Sequence, residues 1–168
     1  MPRTLSTMAK PRMLLFLLLG AAAPAAAQQA VGVFGLWGAF RAADRCYAIA
    51  EPVQEARPGD GRGYASVGFW PRRGVRGQVH FRLRRPKRPG SAVLLRIDDR
   101  IFQLRGGGAD AWAADGAADA AIVSAMRTGI EMNVETRSER GAPIRDAYRL
   151  RGAATAIDAA AIACARRP

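Results

Sequence analysis

The sequence predicts a mainly β protein: an antiparallel sandwich or barrel-like domain with two short α-helices, the second at the C-terminal end. Three observations lead there. Gln78 to Arg84 alternates, with Val79, Phe81 and Leu83 on one face and Gln78, His80, Arg82 and Arg84 on the other, the pattern of a strand lying between core and solvent. The apolar period lengthens to three and four residues in two stretches, Asp115 to Arg127 and Ala153 to Ala165. Elsewhere the strand-like segments are short and divided by turns, with no β-α-β alternation, which argues against a parallel sheet.

The chain starts with the charge order of a cleavable secretory leader. Arg3, Lys10 and Arg12 precede the apolar run Met13 to Ala23, and the small residues Ala25-Ala26-Ala27 follow. Cleavage is expected after Ala27, leaving a signal peptide over residues 1–27 and a single β-rich domain over residues 28–168. The run is shorter than the roughly 20 residues of a permanent membrane helix. No later segment approaches that length, and no cysteine follows the cleavage point to carry a lipid. A soluble periplasmic or secreted protein is expected, and its 141 residues are enough for one core.

Within the domain, Val31 to Phe40 reads as one strand with two apolar faces, weakened by Gly32, Gly35 and Gly38, and Cys46 to Glu51 as the next. Trp37 is expected in the core. Pro52 to Gly63 has the Pro and Gly signals of a loop. Tyr64 to Trp70 sets Tyr64, Ser66, Gly68 and Trp70 against Ala65, Val67 and Phe69. Ala92 to Asp98 and Arg100 to Arg105 form a hairpin about Asp98-Asp99, with its register open because Ile101 and Leu104 differ in parity. Gly106-Gly107-Gly108 is expected to end the sheet pattern. Asp115 caps a helix that Gly129 ends, Ile130 to Thr136 and Ile144 to Leu150 return to strand, and the last helix carries Ile157, Ala161 and Cys164 on one stripe.

Cys46 and Cys164 are the two cysteines, 118 positions apart. Export supplies an oxidising compartment. A redox pair would need close spacing such as C-x-x-C, and two cysteines with one histidine make a poor zinc set. A structural Cys46–Cys164 disulfide is expected.

Losing the leader lowers the formal net charge from +12 to +9. Eight basic residues, Arg72, Arg73, Arg76, Arg82, Arg84, Arg85, Lys87 and Arg88, lie between Pro71 and Gly90 with no acid among them. A surface that concentrates them attracts polyanions, and in an exported protein those are anionic lipids, glycolipids or glycans. Nucleic acid suits the compartment poorly. The competing reading is a solvated arginine-rich edge that blocks strand pairing. Arg84, Arg85, Lys87 and Arg88 are all expected outside the core.

No catalytic constellation is visible. His80 has no sequence-evident nucleophile and is expected on the surface. The acids form no spaced pair or calcium loop, and the glycines at 106–108 do not match a phosphate-binding loop. No cofactor is implied, and the sequence is silent on oligomeric state.

Phe34-Gly35-Leu36-Trp37, the strand Cys46-Tyr47-Ala48-Ile49, and Tyr148-x-Leu150-x-Gly152 running into an alanine-rich helix resemble the invasion-associated locus B family of bacterial envelope proteins. The resemblance implies a non-enzymatic periplasmic or envelope-associated factor, a class in which some members are linked to host-cell invasion. The expected function is therefore non-catalytic, with binding of an anionic envelope or host component through the basic surface. The alternative is a small secreted hydrolase or inhibitor whose site the sequence does not display.

Overall fold

The computed structural model describes residues 28–165; the predicted leader and residues 166–168 lie outside them. Ten strands and two helices follow one another as β1 (Gln29–Phe34), β2 (Trp37–Arg41), β3 (Cys46–Ala50), β4 (Tyr64–Trp70), β5 (Val75–Arg82), β6 (Val93–Ile97), β7 (Arg100–Gly107), β8 (Asp110–Trp112), α1 (Gly116–Thr128), β9 (Glu131–Arg137), β10 (Pro143–Arg149) and α2 (Ala153–Ala165). All pairings are antiparallel, in the order β1-β2-β3-β4-β5-β8-β7-β6-β9-β10. The sheet curls into a half-barrel. The predicted class holds, with one curled sheet rather than two stacked ones.

The alternation that marked β5 has the expected consequence: Val79, Phe81 and Leu83 are buried and join Val67, Leu95, Val134 and Tyr148 in the main core. The two helices pack against this inner face, α2 across β1 to β4 and α1 on β5 and β7. Alanine is what allows α2 to sit close. Ala39, Ala48, Ala50 and Ala65 on the strands face a helix that buries Ala153, Ala156 and Ala160, so backbones approach without large side chains between them. Asp115 caps α1 by accepting a hydrogen bond from the Ala118 N–H at 2.8 Å, as its position before the apolar stripe predicted.

Two sequence expectations are corrected, and one register left open is settled. Val31 to Phe40 is not one strand but the β1–β2 hairpin, folded at Gly35-Leu36. Gly35 has φ +61, and any side chain there would collide with the carbonyl of Arg151, so the glycine that weakens a strand instead makes the turn. The glycines at 106–108 do not end the sheet: β7 runs through Gly107, turns at Gly108-Ala109 and returns as the three-residue β8. The short β8 has almost no apolar pattern of its own. In the β6–β7 hairpin, Leu104 opposes Val93 and Phe102 opposes Leu95 on the core side, which leaves Ile101 exposed.

Contacts between distant parts of the chain bring the sheet ends together. Trp37, fully buried at the start of β2, donates its indole N–H to the Arg149 carbonyl on β10 at 2.9 Å. The loop after β3 covers the β10 edge, with the Val53 N–H donating to the Ala147 carbonyl at 2.8 Å and the Ala147 N–H donating to Gln54 Oε1 at 2.9 Å. An edge strand otherwise presents unpaired backbone groups to other chains.

Cys46 at the head of β3 and Cys164 near the end of α2 are disulfide-bonded, with a Cα–Cα separation of 5.7 Å. Both are buried beside Ala39 and Ala160, which fits a structural bond rather than an exposed redox pair. Because 118 residues separate them, the chain-entropy account assigns the bond about 4 to 5 kcal/mol. Cys164→Ser, or reduction of the parent, is expected to lower the urea midpoint by a corresponding amount. Peptide mapping without reductant should return one cross-linked pair; two free thiols in protein taken from an oxidising compartment would contradict the structure.

Candidate functional site

The eight basic residues singled out in the sequence do not form one array. Arg72 and Arg73 sit in a short 3-10 turn after β4, and Arg76 lies at the start of β5. Arg82 to Arg88 lie at or beyond the other end of that strand, with Arg76 and Arg82 about 20 Å apart at 3.3 Å per residue. Distant acids neutralise much of the second group. Arg82 pairs with Asp110, Arg85 with Asp60, and Arg84 with Asp146 at 2.6 Å. Lys87 is buried, its ammonium donating to the Arg88 carbonyl at 3.0 Å and its stem lying against Gly106. Arg72, Arg73, Arg76 and Arg88 are exposed, with no acidic partner among the described residues.

Of the four residues expected outside the core, Lys87 is buried, while Arg84 is half-buried and stands apart from the apolar core. Strand alternation places Arg84 opposite the core, but the chain leaves the strand at Leu83 and turns the guanidinium under the loop after β3. There it donates to Asp146 through Nε, to the Gln54 and Glu55 carbonyls through Nη1, and to the Arg145 carbonyl through Nη2. Asp146 is fully buried, and its Oδ2 has no protein partner. Burial pushes its pKa up against the opposing pull of Arg84. Asp60 responds in the opposite sense: the Arg57 backbone N–H, then Arg85, holds its carboxyl below the ordinary 3.8.

His80 lies on the helix-free face, half-buried. Its Nε2 donates to Asp110 Oδ1 at 2.9 Å, and its ring stacks on Trp112 with centroids 5.2 Å apart and planes 16° apart. The Ser66 hydroxyl next to it donates to the His80 carbonyl at 3.4 Å rather than meeting the imidazole, so no nucleophile–base pair forms. Among the described residues no three metal-ligating side chains gather.

What strand register assembles instead is an aromatic surface. Cross-strand partners point to the same face, and two rows run across β2 to β5 and β8: Phe40, Tyr47, Gly68 and Gln78, then Ile49, Ser66, His80 and Trp112. Tyr64 lies beside the second row, its ring meeting His80 edge-on at 5.5 Å. Phe40 and Tyr47 stack at 5.7 Å. The Trp70 ring lies flat over the backbone of Gly68, where any Cβ would collide with it. Arg45 sits over the Tyr47 ring at 5.4 Å. Apart from Phe40, these side chains line a shallow depression of about 400 Å³. Through Tyr47, Ile49 and Tyr64 it continues into a second depression that reaches the exposed Val33, Leu36 and Val53. None of these rings is needed to fill the core, which lies on the opposite face. The sequence held one signal for this surface, the alternation of Tyr64 and Trp70 with buried residues, but no single strand shows that its neighbours add Phe40, Tyr47 and Trp112.

No protein-family model matches the chain, and no curated protein matches it. Among solved structures it is similar to the crystal structure of invasion associated protein B from Bartonella henselae, with a TM-score of 0.54 over 81% of this chain and 98% of that one. The two chains share the fold. At 16% identity the likeness reaches no further than that, and the resemblance read from the Phe-Gly-x-Trp and Tyr-x-Leu-x-Gly segments holds at this level.

The paired and unpaired arginines should behave differently on mutation. Arg84→Gln leaves Asp146 buried without its counter-charge and is expected to cost about 3 to 5 kcal/mol in urea unfolding, against less than about 0.5 for Arg72→Gln or Arg73→Gln. The lowered pKa of Asp60 also has a pH signature. Its stabilisation is complete above the unfolded-state value near 3.8 and disappears as pH falls through the lower folded value. Asp60→Asn should be less stable than the parent near neutral pH, and the gap between them should close in acid. A gap that stays constant across that range would refute the assignment.

Proposed function

We propose that this is a non-enzymatic, exported, envelope-associated protein that works by binding, and that its recognition surface is the aromatic face of β2 to β5 and β8. One observation carries the reading: six ring side chains and an isolated cation–π arginine are gathered on the face that neither helix covers. Export is supported by the leader pattern of residues 1–27 and by the buried Cys46–Cys164 bond. No helix among the described residues is long and apolar enough to cross a membrane. The invasion associated protein B fold agrees with an envelope setting.

An anionic partner remains the preferred class, with the responsible cations reassigned. Arg45 beside Tyr47, Arg72 and Arg73 immediately after Trp70, and Arg105 opposite Trp112 border the aromatic face without acidic partners among the described residues. Arg82, Arg84 and Arg85 are engaged by acids of the protein itself and contribute little net charge to a ligand. A hydrolase would need an activated nucleophile, and the serine nearest His80 is turned away from its ring.

Isolated cell envelopes should retain the purified mature protein, and retention should drop for the Trp70→Ser/Trp112→Ser double variant while the circular-dichroism spectrum and urea midpoint stay close to the parent's. Equal retention of the two proteins would overturn the assignment of the face. Arg72→Gln/Arg73→Gln should reduce retention at low salt only, because solvent-exposed charges act over a Debye length of about 8 Å at physiological ionic strength.

A further inference from the structure

We infer that the arginine-bearing tips of the β2–β3 and β4–β5 turns seat the protein on an anionic phospholipid surface. The inference rests on the envelope association proposed above and names the envelope component that these cations meet. Strand register assembles the array. Gln29, Arg41, Cys46, Phe69 and Arg76 follow one another across β1 to β5 in a single row of paired residues. Arg41 and Arg76 stand three strand spacings apart in that row, about 14 Å. The pairing alone would turn Arg76 inward with Phe69, but a bulge at Gly77, with φ +92, re-aims the side chain, which is exposed. Beyond the row, Arg45 lies in the β2–β3 turn, and Arg72 and Arg73 lie in the 3-10 turn before β5. These five arginines have no acidic partner among the described residues, and Asp44 is the one acid in residues 41–46 and 70–76.

Two features select a flat anionic surface over a soluble polymer. The first is shape. Ala43, Asp44 and Arg45 on one tip, and Pro71, Arg72, Arg73 and Gly74 on the next, are all exposed, and the 3-10 turn buries no residue. Neighbouring projecting tips touch a plane together, whereas a single-stranded polyanion is held in a charged groove. The second is where the chain enters the domain. Four residues separate Ala23, the last of the apolar run, from Gln28, so even a fully extended chain keeps Gln29 within about 22 Å of that run. With the leader attached in a bilayer, the row that starts at Gln29 therefore lies beside the headgroups, whose phosphates suit the planar fork of arginine. After cleavage the same cations act alone. Between them the tips carry Ala42, Ala43, Pro71 and Gly74, and Trp70 folds back over Gly68, so nothing inserts and the attachment is Coulombic and reversible.

The test sediments the mature protein with vesicles of equal parts phosphatidylglycerol and phosphatidylcholine, and with vesicles of phosphatidylcholine alone. A single-stranded DNA hexamer serves as the soluble polyanion. The parent should bind the charged vesicles at low salt, leave them as salt rises, and ignore the neutral ones. At about fivefold per arginine near the surface, Arg72→Gln/Arg73→Gln should weaken that binding about 25-fold, and Arg45→Gln/Arg72→Gln/Arg73→Gln/Arg76→Gln by more than about a hundredfold. Both variants should keep the parent's urea midpoint, because none of the four residues is ion-paired. Arg88→Gln/Arg96→Gln/Arg100→Gln/Arg140→Gln removes the same charge from exposed positions elsewhere and should keep most of the parent's affinity. Equal losses in the two quadruple variants would overturn the tips as the docking surface. Binding of the DNA hexamer without binding of charged vesicles would overturn the bilayer as the partner, and so would failure of both probes. Retention by isolated envelopes and its dependence on Trp70 and Trp112 are read in a separate measurement, so this inference and the aromatic-face reading can fail independently.

Discussion

The ion pair between half-buried Arg84 and fully buried Asp146 ties together parts of the protein that the strand ladder alone does not join. Arg84 follows β5, Asp146 is in β10, and between them the guanidinium also holds the carbonyls of the loop after β3. Removing Arg84 would strand the fully buried Asp146 in a low-dielectric site, a larger penalty than the net worth of the pair itself. The pair therefore constrains where that loop can lie, and the loop in turn supplies the hydrogen bonds of Val53 and Gln54 to Ala147 on the outermost strand. A half-barrel with a covered β10 edge is the result.

The same interaction accounts for the fate of the basic segment. Strand alternation pushes Arg82 and Arg84 away from the core, but the curled sheet brings Asp60, Asp110 and Asp146 to meet Arg85, Arg82 and Arg84. The arginines then serve the architecture before they serve a ligand. Cations that no acid claims are left at the margins of the aromatic face, where the local potential is set by a few charges spaced around it.

Core and candidate site are separated by the sheet itself. Its inner face is lined by alanines and branched aliphatics that let α2 and α1 approach, and the Cys46–Cys164 bond pins the end of α2 to β3 on that side. The outer face carries rings that stack on one another and on backbone. Substitutions there alter cross-strand contacts worth about 0.2 to 1 kcal/mol each rather than opening cavities.

Side-chain direction repeats every two residues in a strand and about every 3.6 in a helix, so properties that depend on direction were legible in the sequence. The burial of Val79, Phe81 and Leu83, the Asp115 cap, the span of α2 with Cys164 on its buried stripe, and the antiparallel class all follow from that local geometry. The disulfide was legible for a different reason, since two cysteines leave one pairing once an oxidising compartment is expected from the leader pattern. The β1–β2 turn was not, because Gly35 is an ambiguous signal until Arg151 and Gly152 press against it from the far end of the chain. Nor were the pairing of Arg84 with Asp146, 62 positions away, and the alignment of Phe40, Tyr47, Trp70 and Trp112 on one face. These depend on strand order and register, which are decided by contacts between residues remote in the chain, and only the folded sheet sets them.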